Sequence, residues 1–334
     1  MRAPVDDTDT SQDDGEEPER VTPAEKRAAL AQLAAIRAQT DRKIILVIHI
    51  QLGYHILRFF LPEGDAAAAA KVVWVHSFSV GLDAYRLAEI EDRVRDILIT
   101  NGRHSQSMAL AEYVFYSIFY FNRLTWRQQQ QQAARAWEPY DIEPLTGKRM
   151  VIFGYGDIGR AAAKMAAAFG VTVVGVRRRL PPPEEQQPDV AVVLITDAAA
   201  VAAALQSADF VVNTLPHTTD TDGYFHRDRF AQMKRTALYV NVGRGATQVD
   251  DDIAAVLQQG VIRGASLDVF GQEPLPTTSA LYDVPPERLL MNPHAAARSA
   301  DQIYALCGRI TAIAEAAAAG KDLSSFSVNR VQWY

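Results

Sequence analysis

The stretch Met150–Leu180, "MVIFGYGDIGRAAAKMAAAFGVTVVGVRRRL", decides the fold. It opens on "MVIF", an apolar run of strand length, and passes through Gly154, Gly156 and Gly159 in the spacing GxGxxG. An alanine-rich segment without β-branched residues then predicts a helix, and "VTVVGV" predicts a second strand, because alanine favours helices and valine favours strands. Strand, glycine turn and helix in that order give the glycines a meaning. Bare backbone lets a pyrophosphate approach a helix N-terminus, where the peptide dipoles leave positive charge. Glycines placed only for a tight turn and close helix packing are the competing reading. The second strand runs into Arg177, Arg178 and Arg179. A dinucleotide-binding unit for NAD places an acidic residue there for the ribose hydroxyls, whereas a guanidinium grips a 2′-phosphate with charge-assisted, bidentate bonds. The expected cofactor is therefore NADP, with NAD possible, carried by Arg177 and Arg178. Arg179, just before three prolines, is expected in solvent, and a solvated basic loop tip is the alternative for the whole run.

Outward from this unit the same alternation continues. "VAVVLI", the helix "DAAAVAAALQSA", "DFVVNTL", "ALYVNVG", the helix "DDDIAAVLQQG", "IRGASLDVF" and "LLMNPH" follow in turn. Short β-rich runs alternating with helices predict a doubly wound α/β sheet of parallel strands. Before this block lie two further strand candidates, "KIILVIHI" and "KVVWVHS", and after it a last helix from Arg298. That layout predicts a dinucleotide-binding domain over 113–295 inserted into a smaller domain built from 21–112 and 296–334. Helices at Ser105–Arg123 and Arg298–Ala319 would connect the two, and "RQQQQQAARAW" reads as a helix or arm.

Composition excludes several classes. The 334 residues are 48% hydrophobic and carry a net charge of -6, which suits a packed soluble chain and disfavours a general nucleic-acid binder. The single cysteine, Cys307, rules out an internal disulfide framework. No His, Cys and carboxylate cluster has metal-ligand spacing, so no metal is expected. Residues Met1–Arg20 are acidic and without an apolar run, predicting a disordered tail rather than a signal peptide. His49, Gln51, His55 and Arg58 interrupt the apolar segment Ile44–Leu61, which reads as a core strand plus helix and not as a membrane span.

Three longer stretches, "ADFVVNTLPHTTDTDGYF", "MKRTALYVNVGRGATQVDDDIAAVLQQGVIRGASLDVFGQEPLP" and "LLMNPHAAA", resemble the D-isomer-specific 2-hydroxyacid dehydrogenase family. The resemblance runs over residues 71 to 334. It implies that Arg244, Glu273 and His294 are catalytic, and that a Rossmann domain is inserted into a flavodoxin-like α/β substrate domain. It also implies that Ser77, Phe78, Ser79, Val80 and Gly81, with Arg244, face the substrate carboxylate; a glycine turn kept for packing is the alternative for this loop. Asp157 and Ile158 match a pair over the pyrophosphate. Leu215 and Pro216 match a strand-end loop near the cofactor, with Val242 and Gly243 beside it, and Asp268 matches a residue near the nicotinamide carboxamide. Trp137 matches an aromatic that covers the active site across a dimer, with a buried core tryptophan as the alternative.

The chemistry gives these residue types a reason. Reducing a 2-oxo acid needs a hydride, a proton for the ketone oxygen and a cation for the carboxylate. Arginine is always charged and forked, so it holds a carboxylate in one orientation. Histidine titrates near neutrality, and a neighbouring carboxylate favours its protonated form. The expected activity is NADPH-preferring reduction of small 2-oxo acids, such as glyoxylate or hydroxypyruvate, to 2-hydroxy acids of D configuration where chiral. A cytoplasmic homodimer is expected. A nucleotide-sensing scaffold resembling the corepressor branch of the family, or an inactive relative, is the alternative. Two departures stand out. The outer domain lacks the family's usual opening strand, helix and strand, offering only a helix over Pro23–Gln39, and His217 stands where the family has an apolar residue. Formate dehydrogenases lack the glutamate partner that Glu273 provides here, and the chain stops at Tyr334 without a further regulatory domain.

Overall fold

The computed structural model describes residues 28, 31–36, 38, 43–180, 187–299 and 301–330. The tail Met1–Arg20, much of the Pro23–Gln39 helix and the triple proline after Leu180 fall outside them; residues 31–36 are helical, in line with that helix.

Among the described residues, seven parallel strands form the large sheet. They are β4 (Arg149–Phe153), β5 (Thr172–Arg177), β6 (Val190–Leu194), β7 (Phe210–Asn213), β8 (Leu238–Asn241), β9 (Gly264–Leu267) and β10 (Leu289–Met291). Their order is β10-β9-β8-β7-β4-β5-β6, so the chain winds one way from β4 through β5 to β6 and the other way from β7 onward. The carboxyl ends of β4 and β7 flank the point where the winding reverses, which is where open α/β sheets form their ligand crevice.

Side chains alternate across the strands and so build a core on each face. Met150 and Ile152 of β4 point to the face covered by the helices Ser107–Asn122 and Asp157–Ala168, where Val114, Phe115, Ile118, Ala162 and Ala166 meet them. Val151 and Phe153 point to the other face, covered by the helices Ala198–Ser207 and Asp250–Gln258 through Val201, Leu205, Ile253 and Leu257. All four strand residues are fully buried, which explains the near-continuous apolar run legible in the sequence.

The smaller sheet has three parallel strands among the described residues, β1 (Ile44–Ile48), β2 (Val72–Ser77) and β3 (Leu98–Thr100), in that order. The apolar segment after Lys43 is thus a strand followed by the helix Ile50–Phe60. Leu57, Tyr85, Ile90 and Ile99 fill its core, and Val328 from the far end of the chain joins them. Ser327 bridges Thr100 in antiparallel fashion. Segments from early and late in the described chain, β1 and Ser327–Val328, therefore share the small sheet and its core.

The glutamine-rich tract forms the helix Thr125–Ala134 and stops where Arg135 turns left-handed. Trp137 follows at 95% exposure, beyond the end of that helix, so the reading of it as a core tryptophan is corrected. Among the described residues, no helix is long and apolar enough to cross a membrane.

Candidate active site

Three loops at the carboxyl ends of the large sheet bring Arg244, Glu273 and His294 to one cleft of about 250 Å³, whose lining also includes Asp83, His217 and Phe270. They lie far apart in sequence, and the parallel sheet gathers them because each loop leaves the same edge of it.

His294 follows β10 in a left-handed backbone conformation (φ 49°), which a non-glycine residue holds only when its surroundings compel it. Asp268 supplies that compulsion. Its backbone oxygen accepts the His294 N–H at 2.9 Å, and its buried Oδ1 accepts from Asn292 Nδ2, Ala295 N and Ala296 N at 2.6, 2.9 and 3.0 Å. His294 Nδ1 lies 2.7 Å from Glu273 Oε2, while Glu273 Oε1 accepts the Phe270 N–H at 3.0 Å. With Nδ1–H assigned to the carboxylate, Nε2 is the ring atom left for chemistry. The bond to Glu273 raises the His294 pKa above its ordinary value; burial and Arg244 oppose the rise, while the charges of Glu273 and Asp268 add to it. Burial pushes the Glu273 carboxyl up, but bonds from His294 and Phe270 outweigh burial and leave it lowered.

Arg244 sits just beyond β8, over a polar network that fixes its backbone. Its carbonyl accepts from Thr247 Oγ1 at 2.6 Å and from Asn241 Nδ2 at 3.3 Å; Asn241 in turn donates to Gln248 Oε1 at 2.7 Å. The guanidinium donates through Nε to Asp83 Oδ2 at 3.0 Å and through Nη1 to the Gly243 carbonyl at 2.9 Å. Asp83 comes from the small-sheet side and escaped sequence reasoning, although it stands two residues beyond Gly81. A carboxylate aligned on Nε fixes the fork of an arginine without consuming its outer nitrogens.

The loop Ser77–Gly81 meets Arg244 through Gly81. A Cβ added there would lie 1.7 Å from Arg244 Nη2, so only glycine permits this approach. The rest of the loop is braced and contributes backbone: Ser77 Oγ pairs with Tyr85 Oη at 2.7 Å and accepts the Ser79 N–H at 3.0 Å, the Phe78 N–H bonds Ile48 O at 3.0 Å, and Asn101 Nδ2 donates to Val80 O at 2.6 Å. Gly81→Ala is expected to displace the guanidinium and raise the KM for a 2-oxo acid by about one to two orders of magnitude, since an ångström of misplacement is costly in an oriented site. Steady-state kinetics check this, with an unchanged KM counting against the role.

The residues proposed for a dinucleotide gather along the neighbouring crevice. Gly154 adopts φ +79°, and a Cβ on it would lie 2.7 Å from the Thr214 carbonyl, so the turn after β4 closes against the turn after β7. That leaves a cradle of bare backbone at Gly156, the N-cap of the helix that Asp157 and Ile158 open, with Gly159 buried beneath. The Asp157 carboxylate faces inward, accepting from Ser107 Oγ and lying 2.9 Å from His104 Nδ1. Leu215 and Val242 are buried, with the Leu215 N–H on Asn213 Oδ1 and the Val242 N–H on Asn213 O, each at 3.0 Å. Pro216 and Gly243 complete the two strand-end turns. Arg177 ends β5 half-buried, Arg178 is likewise half-buried, and Arg179 is exposed. Glycine turn, helix N-terminus and strand-end arginines on one edge fit a phosphorylated dinucleotide.

A sequence model of the NAD-binding domain of D-isomer-specific 2-hydroxyacid dehydrogenases matches residues 115–296. Glyoxylate/hydroxypyruvate reductase A of Yersinia enterocolitica is 30% identical over 65% of this chain and 66% of its own length. Glyoxylate/hydroxypyruvate reductase B of Salmonella agona is 30% identical over 77% and 68%. The matched parts thus span about two thirds of these relatives. An NADPH-dependent glyoxylate/hydroxypyruvate reductase from Sinorhizobium meliloti, solved with NADP and sulfate, superposes with a TM-score of 0.70 at 25% identity, covering 94% of this chain and 98% of that one.

Proposed function

The chain belongs to the D-isomer-specific 2-hydroxyacid dehydrogenase family, a family of oxidoreductases with a nicotinamide-dinucleotide-binding domain, and from this we propose that it reduces small 2-oxo acids such as glyoxylate and hydroxypyruvate, preferring NADPH. The observation that carries the reading is the His294–Glu273 pair sharing one cleft with Arg244. Products with a stereocentre would have the D configuration.

The hydride comes from a bound nicotinamide. Everything else falls to the chain. Arg244, held by Asp83, clamps the substrate carboxylate and polarises the ketone, with Gly81 allowing the approach. Nε2 of protonated His294 donates its proton to the ketone oxygen as C2 is reduced; Glu273 stabilises the imidazolium before the transfer and holds Nδ1–H of the neutral ring after it, until solvent returns a proton to Nε2. Asp268 keeps the histidine turn in place, and its matched role near a carboxamide is compatible with that position. Arg177 and Arg178 take the 2′-phosphate, while Gly154, Gly156, Gly159, Asp157 and Ile158 border the pyrophosphate and Leu215, Pro216, Val242 and Gly243 the nicotinamide half.

In the same reading, 113–295 is the dinucleotide-binding domain, 21–112 with 296–334 the substrate domain, and the protein a cytoplasmic homodimer in which the exposed Trp137 helps cover the active site of the second copy. Replacing Arg244 by lysine keeps the charge but loses the fork. A fall in kcat/KM of about tenfold to a hundredfold is expected, the scale of one charge-assisted bond, and titration should show cofactor binding retained. The direct test of the whole reading is a screen of 2-oxo acids with NADPH and NADH. Turnover of glyoxylate and hydroxypyruvate, faster with NADPH, is expected. Cofactor binding without turnover of any 2-oxo acid would favour a nucleotide-sensing scaffold.

A further inference from the structure

We propose that His217, held by Asp222, reads the substrate beyond its keto acid group and selects a hydroxyl at C3. This rests on the reductase reading above and names its preferred substrate class, the 3-hydroxy-2-oxo acids.

His217 lines the same cleft as Arg244 and His294, and the mechanism leaves it unused. The other polar side chains there are committed: Asp83 to Arg244, and Glu273 to His294 and the Phe270 N–H. With the carboxylate on Arg244 and the ketone oxygen at His294, His217 is the polar side chain that remains for a third substituent. The rest of the lining is apolar side chain or backbone, including Ala246, Val269 and Gly271.

The turn that carries His217 is built to hold it still. Thr221, buried, donates through Oγ1 to Pro216 O at 2.7 Å and accepts the Thr218 N–H at 2.8 Å, and the Asp222 N–H returns to Thr218 O at 3.0 Å. The next residue, Gly223, donates its N–H to Ala246 O at 2.8 Å, tying the turn to the segment that follows Arg244. This folding brings Asp222 Oδ1 to 3.0 Å from His217 Nε2.

That contact selects a tautomer of the neutral ring. A carboxylate on Nε2 places the proton of the neutral ring there and leaves Nδ1 as an acceptor. An acceptor suits the O–H of a hydroxymethyl group. It gains nothing from a methyl group and repels a second carboxylate, so alkyl 2-oxo acids and 2-oxo dicarboxylates are disfavoured.

The test compares kcat/KM for hydroxypyruvate, pyruvate and glyoxylate with NADPH. These carry a hydroxymethyl group, a methyl group and no C3 at all. In the wild type the hydroxypyruvate-to-pyruvate ratio is expected to exceed one. In His217→Leu that ratio should fall about tenfold, the scale of one hydrogen bond, and His217→Gln, which restores an acceptor, should recover part of it. Asp222→Ala, which frees the tautomer, should lower it by a smaller factor and keeps the test available if the leucine variant fails to fold. A ratio that stays put in all variants overturns the inference. So does a loss shared equally by the three substrates or a rise in the KM for NADPH, which would assign His217 to the cofactor. A wild type that reduces none of the three overturns the underlying reductase reading instead.

Discussion

Replacing His294 by alanine is expected to lower the rate of 2-oxo acid reduction by about two to four orders of magnitude, the range for loss of a positioned general acid. The size follows from geometry: His294 lines the cleft with its Nδ1 held at 2.7 Å by Glu273, which leaves Nε2 for the transfer. The same pair sets a pH dependence with a definite sign. The bond to Glu273 raises the His294 pKa, and the donating form is the protonated one. Reduction should therefore be full below that raised pKa and fall as pH rises through it; oxidation of a 2-hydroxy acid, which needs the unprotonated ring, should show the reverse. Glu273→Gln removes the charge and should move the limb to lower pH. A kcat/KM profile over pH measures both effects, and a limb that ignores Glu273→Gln would break the pairing.

Exchanging Arg177 for Asp together with Arg178 for Ala is expected to weaken NADPH binding by about a hundredfold, with NADH unchanged or improved. Each charge-assisted contact to a 2′-phosphate contributes about 1.5 to 3 kcal/mol, less where water reaches it, so two contacts at the low end give roughly 3 kcal/mol. Both residues are half-buried at the end of β5, which limits that loss, whereas Arg179 is exposed and its removal should matter least. The introduced aspartate stands where a carboxylate accepts ribose hydroxyls. Titration of both cofactors by fluorescence separates the outcomes: equal weakening of the two would reduce the arginines to a solvated loop tip.

Each arrangement legible in advance was one that local chemistry dictates. The doubly wound sheet follows from valine-rich runs alternating with alanine-rich helices, since strands buried on both faces need apolar residues in succession, as Met150–Phe153, Phe210–Val212 and Leu238–Val240 supply. Gly154 marks the strand-to-helix turn because only bare backbone closes that tightly against Thr214, and Gly159 lets the helix pack closely on Ile152 and Tyr155. Arg244, Glu273 and His294 were nameable through the motifs around them. Trp137 shows the limit of such reading, because a lone tryptophan looks the same in sequence whether it enters a core or stands 95% exposed.

By itself, then, the sequence determined the sheet, the glycine cradle, the charge at the end of β5 and which residues are proposed for acid–base chemistry, all written in short stretches whose neighbours fix their conformation. Tertiary structure alone decided what those residues meet. Asp83 reaches Arg244 across 161 positions of chain, Asp268 reaches the turn of His294 across more than twenty, and His217 comes to share a cleft with both. No local pattern encodes such meetings. They arise because parallel strands deliver their loops to one edge, and because the small sheet, packed beside that edge, sets Gly81 and Asp83 against an arginine from the large one.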